Sequence, residues 1–107
     1  MIDVVEQILQ LTDGVTEDQL HADRVRRDAL LWNFTVLGEA AAQLPAEIQA
    51  QHPNVEWHQP SRLRNRIVHG YWSIDIAVLL TTATDQLPAF LDELRVVQAA
   101  LEDRPDA

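Results

Sequence analysis

The apolar residues Ile76, Leu80, Ala83, Leu87, Phe90, Leu94, Val97 and Leu101 succeed one another at intervals of four and three without a slip. Such spacing returns every side chain to one face of an α-helix, so this stretch is predicted to be a single amphipathic helix. Pro88 stands inside it. A helical proline lacks the N–H for its own hydrogen bond and crowds the carbonyl four residues back. Because the stripe keeps phase across Pro88, one helix kinked at that residue is expected rather than two unrelated ones.

The same spacing recurs upstream. Leu30, Phe34, Leu37, Ala41 and Leu44 form the main stripe of a helix predicted over 24–44, which Asp23 can cap. A second stripe, Ala29, Trp32, Val36 and Ala40, runs beside it. Two adjacent stripes make an apolar arc wider than one neighbour covers, which puts this helix at the centre of the fold or in a dimer interface. A first helix is predicted over 2–11, with Val4, Ile8 and Leu11 on one face and Thr12-Asp13-Gly14 ending it. Pro45 opens a short helix through 50, and His52-Pro53-Asn54 stops it. Pro60 suits the first turn of the next helix, predicted to end at His69 because Gly70 is a natural terminator. Ser73 or Asp75 can then cap the last helix. The pattern is that of an all-α chain, an up-and-down bundle of four to five helices. It forms one domain over 1–101 with a frayed acidic tail over 102–107.

Composition narrows the function. A chain of 107 residues, 47% hydrophobic, builds one core and not two. Without cysteine, disulfides, thiolate metal sites and cysteine nucleophiles are excluded. No apolar run approaches the roughly 18 residues of a membrane span, and MIDVVEQILQ lacks the basic start of a secretion signal. The expected compartment is the cytoplasm, with no membrane partner. A net charge of −9 argues against a general polyanion binder. Yet all eight basic residues are arginines, and six fall in two islands: Arg24, Arg26, Arg27 and Arg62, Arg64, Arg66. The first reads as an ordinary solvated helix face. The second has more to say.

It lies in Arg62-Leu63-Arg64-Asn65-Arg66-Ile67-Val68-His69-Gly70-Tyr71-Trp72. On a helix, Leu63 and Ile67 face the core while Arg62, Asn65, Arg66 and His69 lie broadly opposite. Guanidinium groups offer a planar fork to phosphate oxygens, and an imidazole moves protons near neutral pH. By composition and spacing alone this is either an anion site or a histidine complementing a helix end among solvated arginines. Five residues of helix turn through about 500°, leaving Arg64 and His69 roughly 140° apart. One straight helix cannot aim both squarely at one anion, so either His69 leaves helical geometry beside Gly70, or a second protomer completes the site. The surplus apolar arc on the 24–44 helix favours the second protomer.

The spacing Arg64-x4-His69-x-Tyr71 resembles the signature of HepT-like toxins in the HEPN superfamily. Three further landmarks keep its order. Leu37-Gly38-Glu39-Ala40-Ala41 resembles a Gly-Glu-Ala segment of the family's second helix. His52-Pro53 followed by Trp57 resembles its His-Pro…Trp loop, and Asp85-Gln86-Leu87-Pro88 its acidic-x-Leu-Pro segment. The match runs from about Asp23 to Leu94; the first helix is short for the family. The resemblance implies a HEPN-type helical bundle that pairs as a homodimer and acts as a metal-independent endoribonuclease without cofactor. It also implies a cognate minimal nucleotidyltransferase antitoxin, able to attach AMP to Tyr71.

On that reading His69 transfers the proton and Arg64 stabilises charge on phosphorus, with RNA as substrate. Asn65 can orient His69, and Arg62 and Arg66 can hold flanking phosphates. Glu39 can pair with a motif arginine at the site or form a buried structural ion pair. Trp57 is expected to pack, while Trp72 either packs or stacks on bases. His21, His52 and His58 share no metal-ligand spacing. The alternative is a non-catalytic HEPN module that binds a nucleotide or a nucleotidyltransferase, and the plainest reading is a helical dimer with no ligand.

Overall fold

The computed structural model describes residues 1–70 and 75–103. All regular structure among them is helical: α1 (Ile2–Thr12), α2 (Glu17–Ala22), α3 (Arg24–Ala42), α4 (Ala46–Gln51), α5 (Gln59–Gly70), α6 (Ile76–Thr81) and α7 (Leu87–Glu102). A π turn, Thr82–Gln86, joins α6 to α7. The fold is thus all-α, as expected.

Local chemistry sets most boundaries. The Asp23 carboxylate accepts from the Arg26 amide to start α3, and Asp75 does the same for Ala77 at the start of α6. Each such cap is worth about 1 kcal/mol. Gly14, with φ of 66°, makes the turn after α1 in a region that L side chains rarely adopt. Helix α2 has no counterpart in the sequence-based expectation. A capping box builds it: Thr16 Oγ1 accepts from the Gln19 amide, while the Gln19 side chain accepts from the Thr16 amide. Its only buried residue is Leu20, too little for a periodic signal.

Helix α3 is the hub, packed against α1, α2 and α5. Leu30, Phe34, Leu37 and Ala41 are buried along it, together with Leu31 and Gly38, while Leu44 just beyond its end is partly buried against the core. Helix α1 buries Val5, Ile8 and Thr12, so its core face is turned slightly from the expected Val4, Ile8 and Leu11. Helix α5 runs antiparallel to α3, since Gly38 lies against Pro60 and Arg64, and Leu31 and Trp32 share a groove with Ile67 and Val68. Glu6 pairs with Arg95 at 3.6 Å, while Leu9, Thr12 and Asp13 share a groove with Ala83, Thr84 and Pro88; α7 therefore runs antiparallel to α1.

Pro88 is absorbed in an instructive way. The Leu87 amide donates to the Thr82 carbonyl five residues back, so the ladder shifts register just before the residue that can donate nothing. The apolar stripe survives: Ala83, Leu87, Phe90, Leu94 and Val97 are all buried, although Leu79 rather than Leu80 is the deeper residue in α6. No described helix is long and apolar enough to cross a membrane.

Candidate active site

Helix α5 rests almost wholly on α3. Pro60, Leu63 and Ile67 form its buried face. Arg64 sits on the edge of that face, and its stem reaches across α3 where Gly38 has no side chain. A Cβ on Gly38 would stand 2.2 Å from the Arg64 Cβ and 2.6 Å from the Pro60 carbonyl oxygen, so only glycine permits this approach. At the end of the stem, Arg64 Nη1 donates to Glu39 Oε2. The other carboxylate oxygen, Oε1, accepts from Gln43 Nε2 at 3.3 Å. Arg64 Nε is buried and has no hydrogen-bond partner among the described residues.

Of the two roles open to Glu39, the structure favours pairing at the site. Its side chain is 53% exposed and that of Arg64 25%, so this is not a buried structural pair. An ion pair so exposed contributes about 0–1 kcal/mol to stability. It joins the tip of Arg64 to α3.

The opposite face of α5 carries Arg62, Asn65, Arg66 and His69, all exposed. None has an ion pair or side-chain hydrogen bond with another described residue, and Asn65 does not hold His69. The expected end of α5 at His69 gives way to a helix that includes both His69 and Gly70. His69 therefore keeps helical geometry, and the rotation of roughly 140° from Arg64 stands. Tyr71, the expected modification site, and Trp72 lie outside the described residues.

The first arginine island is structural. Arg26 Nη1 donates to the Leu11 carbonyl at 2.8 Å, and Arg27 Nη1 to the His21 carbonyl at 2.7 Å, tying α3 to the ends of α1 and α2. Trp57 packs as expected, with its ring edge-on to Phe90 at 6.4 Å and its indole N–H donating to the His52 carbonyl. Among the described residues no three His, Asp or Glu side chains come together as a metal site.

Beside the polar stripe lies an apolar one. Trp32 of α3 is 67% exposed and Val68 of α5 57% exposed. They line a groove of about 260 Å³ with Asp28, Leu31, Thr35 and Ile67. Sequence reasoning placed Trp32 on the surplus arc but missed Val68, which no periodicity marks.

Comparison with known proteins bears on this arrangement. The chain is 24% identical over 87 residues to the protein named "probable ribonuclease HepT" in Thermococcus cleftensis, covering 81% of this chain and 79% of that protein. It is 24% identical over 102 residues to a protein of Methanocaldococcus jannaschii named as a candidate RNase, covering 95% of this chain and 84% of the relative. A Caldanaerobacter subterraneus protein named in the same way is 21% identical over 92 residues, covering 86% and 82%. No solved structure matches the chain. The family model described as "Ribonuclease HepT-like" matches residues 1–97, which takes in Gly38, Glu39, Arg64 and His69 together. The chain belongs to the HepT-like ribonuclease family.

Proposed function

We propose that this protein is the endoribonuclease toxin of a toxin–antitoxin pair and cleaves RNA at a cleft between two protomers. The observation that carries the composite site is the unbroken helicity of α5 through Gly70. A straight helix cannot aim Arg64 and His69 at one phosphate, and the exposed Trp32–Val68 groove beside them offers a second copy an apolar seat.

The chemistry needs only groups of the chain. The ribose 2′-oxygen loses its proton to a base and attacks the adjacent phosphorus. The new P–O2′ bond forms as the P–O5′ bond breaks, giving a 2′,3′-cyclic phosphate, and the departing 5′-oxygen takes up a proton. His69 is the proton-transfer group, and Arg64 stabilises the charge that accumulates on the phosphoryl oxygens. Arg62 and Arg66, exposed on the face of His69, hold flanking phosphates. The cognate minimal nucleotidyltransferase neutralises the toxin by transferring AMP from ATP to Tyr71, the hydroxyl oxygen bonding to the α-phosphorus as pyrophosphate leaves and the hydroxyl proton is lost.

The test is cleavage of a defined RNA by purified protein. His69→Ala and Arg64→Ala should each lower the rate by at least about 10²-fold, the usual scale for losing a proton-transfer group or a charge-stabilising donor. Both should remain folded, and EDTA should leave wild-type cleavage intact. Full activity in folded His69→Ala, or dependence on added metal, would refute the mechanism. Tight RNA or nucleotide binding without any cleavage would favour a non-catalytic module instead.

A further inference from the structure

Among the described residues Glu39 is the acidic side chain paired with Arg64, and the proposed chemistry does not use it. A carboxylate beside a phosphate-binding arginine repels the substrate, so its presence calls for a physical account. The arrangement around it supplies one. Gln43, the residue that caps the end of α3, donates to Oε1 of the Glu39 carboxylate, and Oε2 receives Arg64 Nη1. Gly38 seats the Arg64 stem against the α3 backbone. Two consecutive residues of one helix thus determine where the arginine runs and how its head is turned.

We infer that Glu39 is a positioning residue for Arg64, holding the guanidinium by one edge so that its remaining η N–H groups meet the phosphate. This rests on the ribonuclease reading above. Nε is sealed inside the protein, so only the two Nη groups can reach a ligand, and Glu39 occupies one position of Nη1. Free rotation would present that outer end in many orientations. The Gln43–Glu39–Arg64 chain selects one, at the expense of some electrostatic attraction for RNA.

This trade predicts a split between binding and turnover that a merely structural residue would not produce. Glu39→Ala should cut kcat by about 10²-fold, the scale expected when a reacting group is displaced by about 1 Å. KM for a short RNA should fall or stay level, because a negative charge has left the cleft. Glu39→Gln keeps an oxygen that can accept from Arg64 and should recover part of kcat. A half-exposed residue can be changed without unfolding the chain, which a thermal melt checks.

A second measurement needs no RNA. The chain has eight arginines and no lysine, so the Arg64 Nε–H signal can be assigned by loss in Arg64→Ala and its order followed by ¹⁵N relaxation. Arg64 should become mobile in Glu39→Ala and stay ordered in Glu39→Gln. Unchanged Arg64 order in Glu39→Ala, or wild-type kcat in that variant while Arg64→Ala is inactive, would overturn the inference. Failure of the wild type to cleave any RNA would overturn the ribonuclease reading instead, and the relaxation experiment would still decide whether Glu39 holds Arg64.

Discussion

Gly38 carries the tightest constraint at the scale of a single residue. In an exposed helix a glycine costs about 1 kcal/mol relative to alanine. Here the exchange reverses sign, because an added methyl would enter the space of Arg64 Cβ and the Pro60 carbonyl. A backbone carbonyl cannot swing aside, so α5 must shift away from α3. Gly38→Ala should therefore destabilise the fold by about 1–3 kcal/mol, the range for overpacking a tight contact. A lowered denaturant midpoint with an unchanged slope would show it, and equal or higher stability would refute the close approach. Activity should fall further than stability, since the shift moves Arg64.

Tyr71 belongs to the same scale, although its argument rests on chemistry. It follows His69 by two residues, so an AMP on its hydroxyl would bring a phosphate near the arginines proposed to hold RNA. Tyr71→Phe should retain most cleavage yet escape covalent inactivation. Intact-mass spectrometry after incubation with the nucleotidyltransferase and ATP would read additions in whole AMP units on the wild type alone. Equal additions on both proteins would put the acceptor elsewhere.

Among the elements, what could be read from the sequence divides according to burial. Helix α3 and the stretch from α6 through α7 bury long apolar stripes, and a stripe of that length has no other physical explanation, so both are legible in type and nearly in extent. Helix α2 was not, because one buried leucine carries no period and its capping box governs only a single turn. The π turn was half legible. Pro88 announced a break in the hydrogen-bond ladder, but the shift is made upstream at Thr82 and Leu87, where nothing in the residue types requires it. Polar faces are harder still. The stripe Arg62, Asn65, Arg66 and His69 could be placed on α5, whereas the Arg64–Glu39 pair joins residues 25 apart and depends on a crossing that only Gly38 permits. The hydrogen bond expected from Asn65 to His69 is absent among the described residues, since four-residue spacing allows such contacts without demanding them.

The whole molecule measures 50 × 28 × 20 Å, and its helix of candidate catalytic residues lies at a flank, supported by α3. Nothing described covers Trp32 or Val68, and a Trp left 67% exposed beside a valine is an uncommon loss of apolar burial in a chain this small. A two-fold pairing would cover that face and bring His69 of one copy toward Arg64 of the other. Light scattering should then give about twice the 12.1 kDa chain mass. The sharper prediction uses mixed protomers. Arg64→Ala and His69→Ala should each be inactive alone, but with a shared site a dimer containing one of each would have one cleft with both residues intact and one with neither. Random mixing in equal amounts makes about half the dimers mixed, so activity should return to about one quarter of wild type. Were each cleft built from a single protomer, every cleft in the mixture would lack a residue and activity would stay at zero. Native mass spectrometry can establish that exchange has occurred, so failure to recover activity in proven mixed dimers would rule out the shared site.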